Sequence, residues 1–508
     1  MSEKLFKVLQ TIDGKQYGKF KEIAGMYPWE KFTLYIDEVQ GSPSSGPSRM
    51  RLTISLSSSG FPDDTCSNDP RRIALADLIA RRFWESSRTR MKNISFPRPG
   101  QEILERGSVK IFKNHVQVAF GMDLPAAGKN AAGKGATSSF RSLYEVAEES
   151  LLFGSYKRSK LYKHIETSEN ASAIRSKLDG LNLVSFIAKD SVLPRRDDNA
   201  APMIDASPFS FPDDRTIEIE VPNGPPIRGF GIRKGMTVIA GTTGSGKTTL
   251  LQAIRSGVCN RIPGDGREYV ITEGTAFMTE RADGRSADNV DVSLFSKAGT
   301  ITSESIRGAV SQSVTMAEAA EMGCNTLLID EDSSYNSVLC FDPVLRKIAD
   351  DEEMIIPLTD IDLPFSVIAV SGSGPVLERA DSIVILQRFS VKGTEYRREP
   401  PLRTPGTDVR CPVVRDLPEL GCNGNIVSAG KRQVDVSDII LMSDVSFLSS
   451  AVSFISKAEE RMDGTTPLNG LFGRADLSPD EISLREMDIV MVLGRLGSIR
   501  MIKRKIGQ

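Results

Sequence analysis

Residues 241–250 read GTTGSGKTTL, and Gly241, Gly246, Lys247 and Thr248 fit the spacing G-x-x-x-x-G-K-[ST]. Glycines let a backbone curl until consecutive N–H groups point at phosphate oxygens, and the N-terminus of a following helix adds positive potential. In such a loop the lysine reaches the β- and γ-phosphates, and the hydroxyl after it ligates Mg²⁺. Gly241, Thr242, Thr243, Gly244, Ser245, Gly246, Lys247, Thr248 and Thr249 are therefore the expected nucleotide contacts, with ATP and Mg²⁺ as cofactors and Thr248 as a metal ligand. The neighbours agree with this. MTVIAG at 236–241 reads as a buried strand and TTLLQAI as a helix, the context the spacing needs.

A second chemical element is LLIDED, within the strand-like NTLLIDED at 325–332. Asp330 at a strand end can bind Mg²⁺ directly or through water, and Glu331 can orient and polarise an attacking water. The alternative is a carboxylate pair that merely faces solvent. FSVIAVSGSG at 365–374 reads as another buried strand. Continuous apolar strands alternating with helices predict a parallel α/β sheet.

The elements that must position these groups sit in a chain of 508 residues, enough for two or three domains with real cores. Hydrophobic content is 40% and charged content 26%, ordinary for a globular protein. No apolar run approaches the roughly 20 residues of a membrane helix. The start, MSEKLFKVLQ, has neither an apolar signal region nor an Arg-rich transit pattern, although a targeting segment removed beforehand would leave no trace. Six scattered cysteines without CxxC spacing predict reduced thiols in a cytosol-like or matrix-like compartment. With only two histidines, His115 and His164, a histidine-based zinc site or triad is not expected, and each reads as a core or surface residue.

Net charge is −2, unevenly spread: residues 1–200 hold 31 basic and 23 acidic side chains, the remainder 33 and 43. That asymmetry predicts that the N-terminal part meets a polyanion. APMIDASPFSFPDD at 201–214 and VPNGPPIRGFG at 221–231 place a boundary near 200, because proline at that density continues neither a helix nor a central strand. A second boundary is expected near 400, in TEYRREPPLRTPGTDVRCP. The expected plan is a basic, mixed α+β domain over 1–200, a P-loop ATPase domain over 201–400 and a mainly helical domain over 401–508. LREMDIVMVLGRLGSIRMIKR is the clearest helical segment of the last.

Residues 71–98 carry eight basic and two acidic side chains with Phe83, Trp84 and Phe96 interleaved. Arginine pairs with phosphate and aromatic rings stack on bases, a combination suited to single-stranded nucleic acid. Arg71, Arg72, Arg81, Arg82, Arg88 and Arg90 are the candidates; the plainer reading is a solvated helix face with Phe83 and Trp84 in the core. YKRSKLYKH at 156–164 and the ending RMIKRKIGQ are further basic clusters.

SESIRGAVSQSVTMAEAAEMGCNTLLIDED follows the order of ABC-type ATPases: a Gly-containing turn, a helix, then a strand ending in Asp-Glu. There the turn reaches a partner subunit's nucleotide. IRGAVSQ is a poor copy in which Gly308 and Ser311 are the phosphate-facing candidates, and Arg307 is either a trans-acting finger or a solvated arginine. Such ATPases that drive transport carry a histidine after the next strand; here Ser371 and Gly372 stand there, and Ser371 or Ser373 offers a hydrogen bond without charge. Slow or partner-dependent hydrolysis is the expectation.

The blocks IPGDGREYV (262–270), RADGRSADNVDVSLF (281–295), LLIDEDSSYNS (327–337) and VSGSG (370–374) together resemble the family of predicted ATPases of the ABC class. DEVQGSPSSGPSRMRL, PGQEILER, LPAAGK and VLPRRDD in the N-terminal part are similar to it too, so the resemblance spans most of the chain. Many members have a histidine just before the second glycine of the phosphate loop where this chain has Ser245, a difference that leaves nucleotide binding intact. The chain is also similar to kinetoplastid mitochondrial RNA-editing accessory ATPases of this family, a resemblance that implies a mitochondrial homodimer binding RNA, as one component of a larger RNA-processing complex and without a membrane. Asp283, Gly284 and Arg285 stand where an ABC ATPase carries its metal-contacting glutamine, with Glu280 as a substitute. The alternative there is a surface turn held by Asp–Arg pairing. Asp265 and Arg267 read first as a tight structural turn.

The combined expectation is an ABC-class ATPase that is not a transporter, closing a dimer on ATP–Mg²⁺ and reopening on hydrolysis to remodel RNA, with Glu331, Lys247 and Ser371 at the chemistry. A nucleotide-gated RNA-binding protein with incidental hydrolysis is the main rival. A transporter's motor subunit and a small-molecule kinase are weaker ones.

Overall fold

The computed structural model describes residues 2–196, 201–203, 205–342, 344, 355–397, 408–440, 444–473 and 476–505. The expected boundaries near 200 and near 400 fall at 197–200 and 398–407, outside the described residues. The chain forms two compact units. One is Met1–Glu169 with Asp444–Ser446 and Asp476–Ser483, and the other is the remainder.

The first unit is built on an antiparallel sheet. Strands β1 (Gly25–Pro28), β2 (Thr33–Glu38), β3 (Ser48–Ser55), β4 (Ile94–Ser95), β5 (Val109–Ile111) and β6 (His115–Met122) pair in the order β1-β2-β3-β6-β4, with β5 also on β6. In β3, Met50, Leu52 and Ile54 are buried while Arg49 and Ser55 are exposed, the two-residue period of a sheet with one covered face. Its helices include α1 (Glu3–Ile12), α2 (Asp69–Arg90) and α3 (Gly133–Leu151). Helix α2 starts where Asn68 accepts the Arg71 N–H and a proline occupies the first turn, both favourable at an N-terminus. Phe83 is fully buried and packs on Phe96 and Phe120 at ring distances of 4.8 and 5.4 Å, so it belongs to the core.

A charged cluster lies inside this unit. Asp77 is 0% exposed and accepts from Arg81 at 2.6 Å and Arg106 at 3.1 Å, while Arg106 also reaches Asp444 at 2.6 Å. His164 Nε2 stands 3.3 Å from Asp77. Burial opposes ionisation of Asp77, but Arg81, His164 and Arg106 together hold its carboxyl well below the usual range. A buried charge persists only when paired in this way.

The second unit contains two larger sheets and, among the described residues, three smaller ones. Strands β7 (Leu183–Ala188), β8 (Ile217–Ile219), β9 (Ile227–Arg233) and β11 (Val270–Thr272) form an antiparallel sheet in the order β8-β9-β7-β11. The other contains β10 (Met236–Ala240), β12 (Phe277–Thr279), β15 (Thr326–Asp330), β16 (Ser366–Val370), β17 (Ser382–Gln387) and β18 (Ser390–Tyr396), in the order β12-β15-β16-β10-β17-β18. It is parallel except for the β17–β18 hairpin. Strands β15 and β16 are buried at every position, as their unbroken apolar runs require. Helix α4 (Lys247–Ser256) turns Leu250, Leu251, Ala253 and Ile254 into a core shared with Ile187, Phe230, Ile239, Leu328 and Ile368. Helix α5 (Ala309–Glu321) follows the antiparallel pair β13 (Arg285–Asp291) and β14 (Thr300–Ile306).

The last part of the chain differs from the mainly helical expectation. It contains helices α6 (Phe447–Lys457) and α7 (Glu486–Arg495). It also contains the meander β20 (Leu420–Asn423), β21 (Ile426–Ala429) and β22 (Arg432–Asp435), and the pair β19 (Asp408–Val413) with β23 (Arg500–Lys505). The stretch read as one helix stops at Arg495, because Gly497 takes φ 67 and the chain leaves the helical course. RMIKRK then pairs along β19, with Met501 buried and Ile502 exposed, a strand period that the helical spacing before it masks.

Arg410 binds this region to α5, at a glutamate that also pairs with Arg285 of β13. Arg410 reaches Glu318 at 3.1 Å and Glu321 at 2.7 Å, and Arg285 pairs with the same Glu318. None of the six cysteines, all of them described, forms a disulfide.

Candidate functional site

Strand β10 delivers the chain into the phosphate loop at Gly241. Gly241, Gly244 and Gly246 have φ of 154, 74 and 97, a region that disfavours any side chain. At Gly241 a Cβ would also lie 2.3 Å from the Leu386 carbonyl, and at Gly246 2.5 Å from the Phe389 ring, so the loop's ends need glycine for room as well. At Gly244 nothing lies within 4 Å. Helix α4 begins at Lys247 with no side chain capping it, which leaves the first N–H groups and the positive end of the dipole facing the loop. Lys247 Nζ donates to the Gly241 and Thr242 carbonyls at 2.9 and 3.1 Å. Ser245 is 3% exposed and its hydroxyl finds no hydrogen-bond partner among the described residues. Thr242, Thr243 and Thr248 are exposed, and Thr249 is half-buried.

The residues fit a nucleotide triphosphate with its metal. The glycine cradle is one a Cβ would obstruct, the helix end is uncapped, and the buried Ser245 hydroxyl lacks a partner among the described residues. Among the described residues no group of three or more His, Cys, Asp or Glu could hold a metal. Mg²⁺ is commonly held by one or two protein oxygens together with phosphates and water.

The carboxylates arrive on the adjoining strands. Asp330 ends β15, is 2% exposed and accepts the Asp332 N–H at 3.3 Å. It pairs across with Val370 at the end of β16, and Ile239 of β10 pairs with that same Val370. The three strand ends therefore bring the loop, Asp330 and Ser371 to one edge of the sheet. Glu331 Oε2 accepts the Gly372 N–H at 3.0 Å. Ser371 is 1% exposed, donates its N–H to the Ile239 carbonyl at 3.4 Å and accepts the Ser373 N–H on its hydroxyl at 3.0 Å. Gly372 is the residue that reading by side chain missed, because its contribution is a backbone N–H. Glu280 follows β12; burial pushes its carboxyl upward, Arg255 opposes this, and Asp438 and Asp330 add to it. A cavity of about 600 Å³ lined by Lys234, Met236, Thr326 and Ser366 opens at the other end of these strands, away from the phosphate loop.

The turn before α5 is organised by Asp283. Its carboxylate accepts the Gly308 N–H at 2.7 Å and the Tyr335 hydroxyl. Gly308 has φ 69 and ψ −164, a combination essentially confined to glycine. Ser311 is fully buried and donates its hydroxyl to the Gly308 carbonyl at 2.7 Å. The Gly308 N–H and the Ser311 hydroxyl are thus both engaged within the chain, while Arg307 is exposed. Gln312 joins the turn to the segment after Glu331: it donates to Ser334 Oγ at 2.9 Å and accepts the Tyr335 N–H at 3.1 Å. Arg281 lies over the Tyr335 ring at 5.3 Å. The Asp–Arg pairing that is the alternative reading for 283–285 does not form between Asp283 and Arg285. Arg285 is buried against Glu318 instead, and Asp283 is used by the turn. Asp265 and Arg267 form a structural turn: buried Asp265 accepts from Arg195 at 2.7 Å, and Arg267 donates to the Leu193 carbonyl at 2.8 Å.

The six N-terminal arginines divide. Arg71 is 8% exposed and pairs with Glu169 at 2.5 Å. Arg81 is held by Asp77 and by the Gly100 and Glu102 carbonyls. Arg72 pairs with Asp69 and Glu105, and Arg90 with Glu145 and Glu149. Arg82 reaches the Glu149 carbonyl at 3.4 Å and Glu85 at 3.9 Å. Arg88 instead lies over the Trp84 ring at 5.2 Å, with Arg98 over the same ring at 5.5 Å. Spacing could not separate these cases, because the acidic partners come from residues as distant as Glu149 and Glu169. No helix among the described residues is long and apolar enough to cross a membrane.

Two family models match the chain: one described as an ABC ATPase P-loop domain over residues 157–402, the other as the ATPase of the ABC class N-terminal over residues 2–154. An uncharacterized protein of Methanocaldococcus jannaschii is 36% identical over 188 residues, 34% of this chain and 42% of that relative, so the likeness spans under half of the relative's length. A solved bacterial Atm1-family ABC exporter with ATP bound is similar over 53% of this chain and 50% of its own at 11% identity, with a TM-score of 0.25, too loose to bear on fold or activity.

Proposed function

The chain belongs to the ATPases of the ABC class, and from that premise we propose that it binds ATP with Mg²⁺ and hydrolyses the terminal phosphate, with Glu331 aligning and polarising the attacking water. The observation that carries this reading is the convergence of the phosphate loop, Asp330 and the Glu331–Gly372 bond on one sheet edge. The loop N–H groups, the α4 N-terminus and Lys247 would hold the phosphates, and Thr248 and Asp330 would hold the metal, which would supply neutralisation of charge on the phosphate oxygens. Glu331 keeps its carboxylate oriented through the Gly372 N–H, and the Ser371 hydroxyl supplies a neutral hydrogen bond where a charged side chain is absent. Turnover without that charge is slow.

The finer reading is a homodimer whose closure on ATP and reopening after hydrolysis remodels single-stranded RNA within a mitochondrial RNA-processing complex, rather than driving transport. It is supported by the positive excess of residues 1–200 and by the resemblance given above. Arg88 with Trp84 and Arg98 is the favoured contact, since the other five arginines are engaged with acidic or carbonyl groups. Exposed Arg307 is the trans-acting candidate. A nucleotide-gated binder with incidental turnover is favoured by one observation, the neutral Ser371 at the switch position.

The test is steady-state ATP hydrolysis while single-stranded RNA is titrated in, with Lys247→Ala as the blank. RNA-raised turnover supports the remodelling reading. RNA that binds without changing turnover leaves the gate. Turnover equal to the blank defeats the hydrolase assignment.

A further inference from the structure

The β17–β18 hairpin closes through Arg388 and Phe389, which take φ of 49 and 61. Two left-handed residues in a two-residue loop make the tight turn that chains ordinarily build from Asn-Gly or Gly-Gly, because a Cβ is disfavoured there. An Arg-Phe pair in that place holds an unfavourable backbone, and such strain persists where the surroundings enforce it and the site uses it.

The surroundings are the phosphate loop. Strand β17 runs parallel beside β10, with Ile385 opposite Ala240, so the turn follows directly alongside residues 241–246. Phe389 donates its N–H to the Ser245 carbonyl at 3.1 Å. Its ring lies where a Cβ on Gly246 would be 2.5 Å away, and the Leu386 carbonyl of β17 would be 2.3 Å from a Cβ on Gly241. From the other side Ser210 grips the turn, donating to the Phe389 carbonyl at 3.4 Å, accepting the Val391 N–H at 2.8 Å and donating to Ser390 Oγ at 2.9 Å.

We propose that Phe389 is a positioning residue for nucleotide binding: the strained turn is a fixed mould that holds the Gly246 end of the phosphate loop, beside the Gly241 end backed by β17, in the curled shape that receives phosphate. This rests on the reading of the loop as an ATP site. Phe389 touches the loop and acts on the ligand through it.

The experiment replaces the turn with the sequence its geometry favours, Arg388→Asn with Phe389→Gly, and measures a fluorescent ATP analogue's Kd with Mg²⁺ alongside the thermal unfolding midpoint. The expected result is a midpoint equal to or above that of the parent chain together with a Kd raised about tenfold or more. Arg388→Asn alone, which keeps the ring, binds like the parent. Phe389→Leu, which keeps the N–H bond but removes the ring from Gly246, gives an intermediate loss, and Phe389→Tyr restores binding. An Asn-Gly turn with parental Kd overturns the proposal and makes the turn a strained connection only. Should the double variant not fold, parental affinity in Phe389→Leu overturns it equally. Failure of the parent chain to bind more tightly than Lys247→Ala defeats the ATP-site reading itself, and the proposal falls with it.

Discussion

Glu331→Gln separates binding from chemistry at this site. Glutamine keeps the shape of the side chain and still offers an oxygen to the Gly372 N–H, which Glu331 holds at 3.0 Å. The loop after β16 therefore keeps its place, and Lys247, Thr248 and Asp330 are untouched. What is lost is the charge that polarises a water, and removing a positioned general base typically costs about 10²–10⁴ in rate. At about 1.4 kcal/mol per tenfold, that raises the barrier by about 3–5.5 kcal/mol. Glu331→Ala makes a second change by leaving the Gly372 N–H without its acceptor, worth about 0.5–1.5 kcal/mol of local order. The assay pairs single-turnover hydrolysis with equilibrium ATP binding. The expected pattern is ATP affinity within a few-fold of the parent for both variants, hydrolysis collapsed in both, and a lower thermal midpoint for alanine alone. Turnover by Glu331→Gln within a few-fold of the parent would refute the role given to Glu331 and reopen the choice of base.

Three further outcomes are expected. Gly308→Ala meets no neighbour within 4 Å, so its cost is the backbone alone: about 1–3 kcal/mol of strain at φ 69, ψ −164, read as a lower thermal midpoint and slower ATP turnover. Asp77→Asn leaves Arg106 and Arg81 short of a buried counter-charge and destabilises by about 3–5 kcal/mol in denaturant unfolding at neutral pH. Because the folded Asp77 carboxyl is held below its ordinary 3.8, its contribution is complete above that value and lost as pH falls below it, so the variant should show a flatter acid limb of stability against pH. Burial pushes the Cys324 thiol up to about 12, and a thiol reagent at pH 8 should label exposed Cys422 in the folded chain while Cys324 reacts only after unfolding.

The phosphate loop and the carboxylate pair were legible because their chemistry is local. Gly241 through Thr249 form one contiguous turn whose glycine positions are fixed by backbone sterics, and Asp330 and Glu331 are placed by the strand that ends at them. Short, mainly apolar runs at 236–240, 326–330 and 366–370, alternating with helical segments, suit strands covered on both faces and so a parallel sheet. The arginines of α2 were not legible in the same way. Arg71 and Arg88 look alike in sequence, yet one is closed by Glu169 and the other lies on Trp84, and the difference depends on residues about a hundred positions away. The ending RMIKRK was hidden likewise, since β23 exists only because β19 offers its edge. The sequence by itself determined the glycine loop at 241–249, the carboxylate pair at 330–331 and the sheet that carries them. Only the tertiary structure decided that Gly372 holds Glu331, that Asp283 closes the Gly308 turn, and which cations are already spent on buried acids. Hydrogen bonds to backbone groups and pairing between distant charges depend on where the fold brings atoms together, and neither leaves a mark in local spacing.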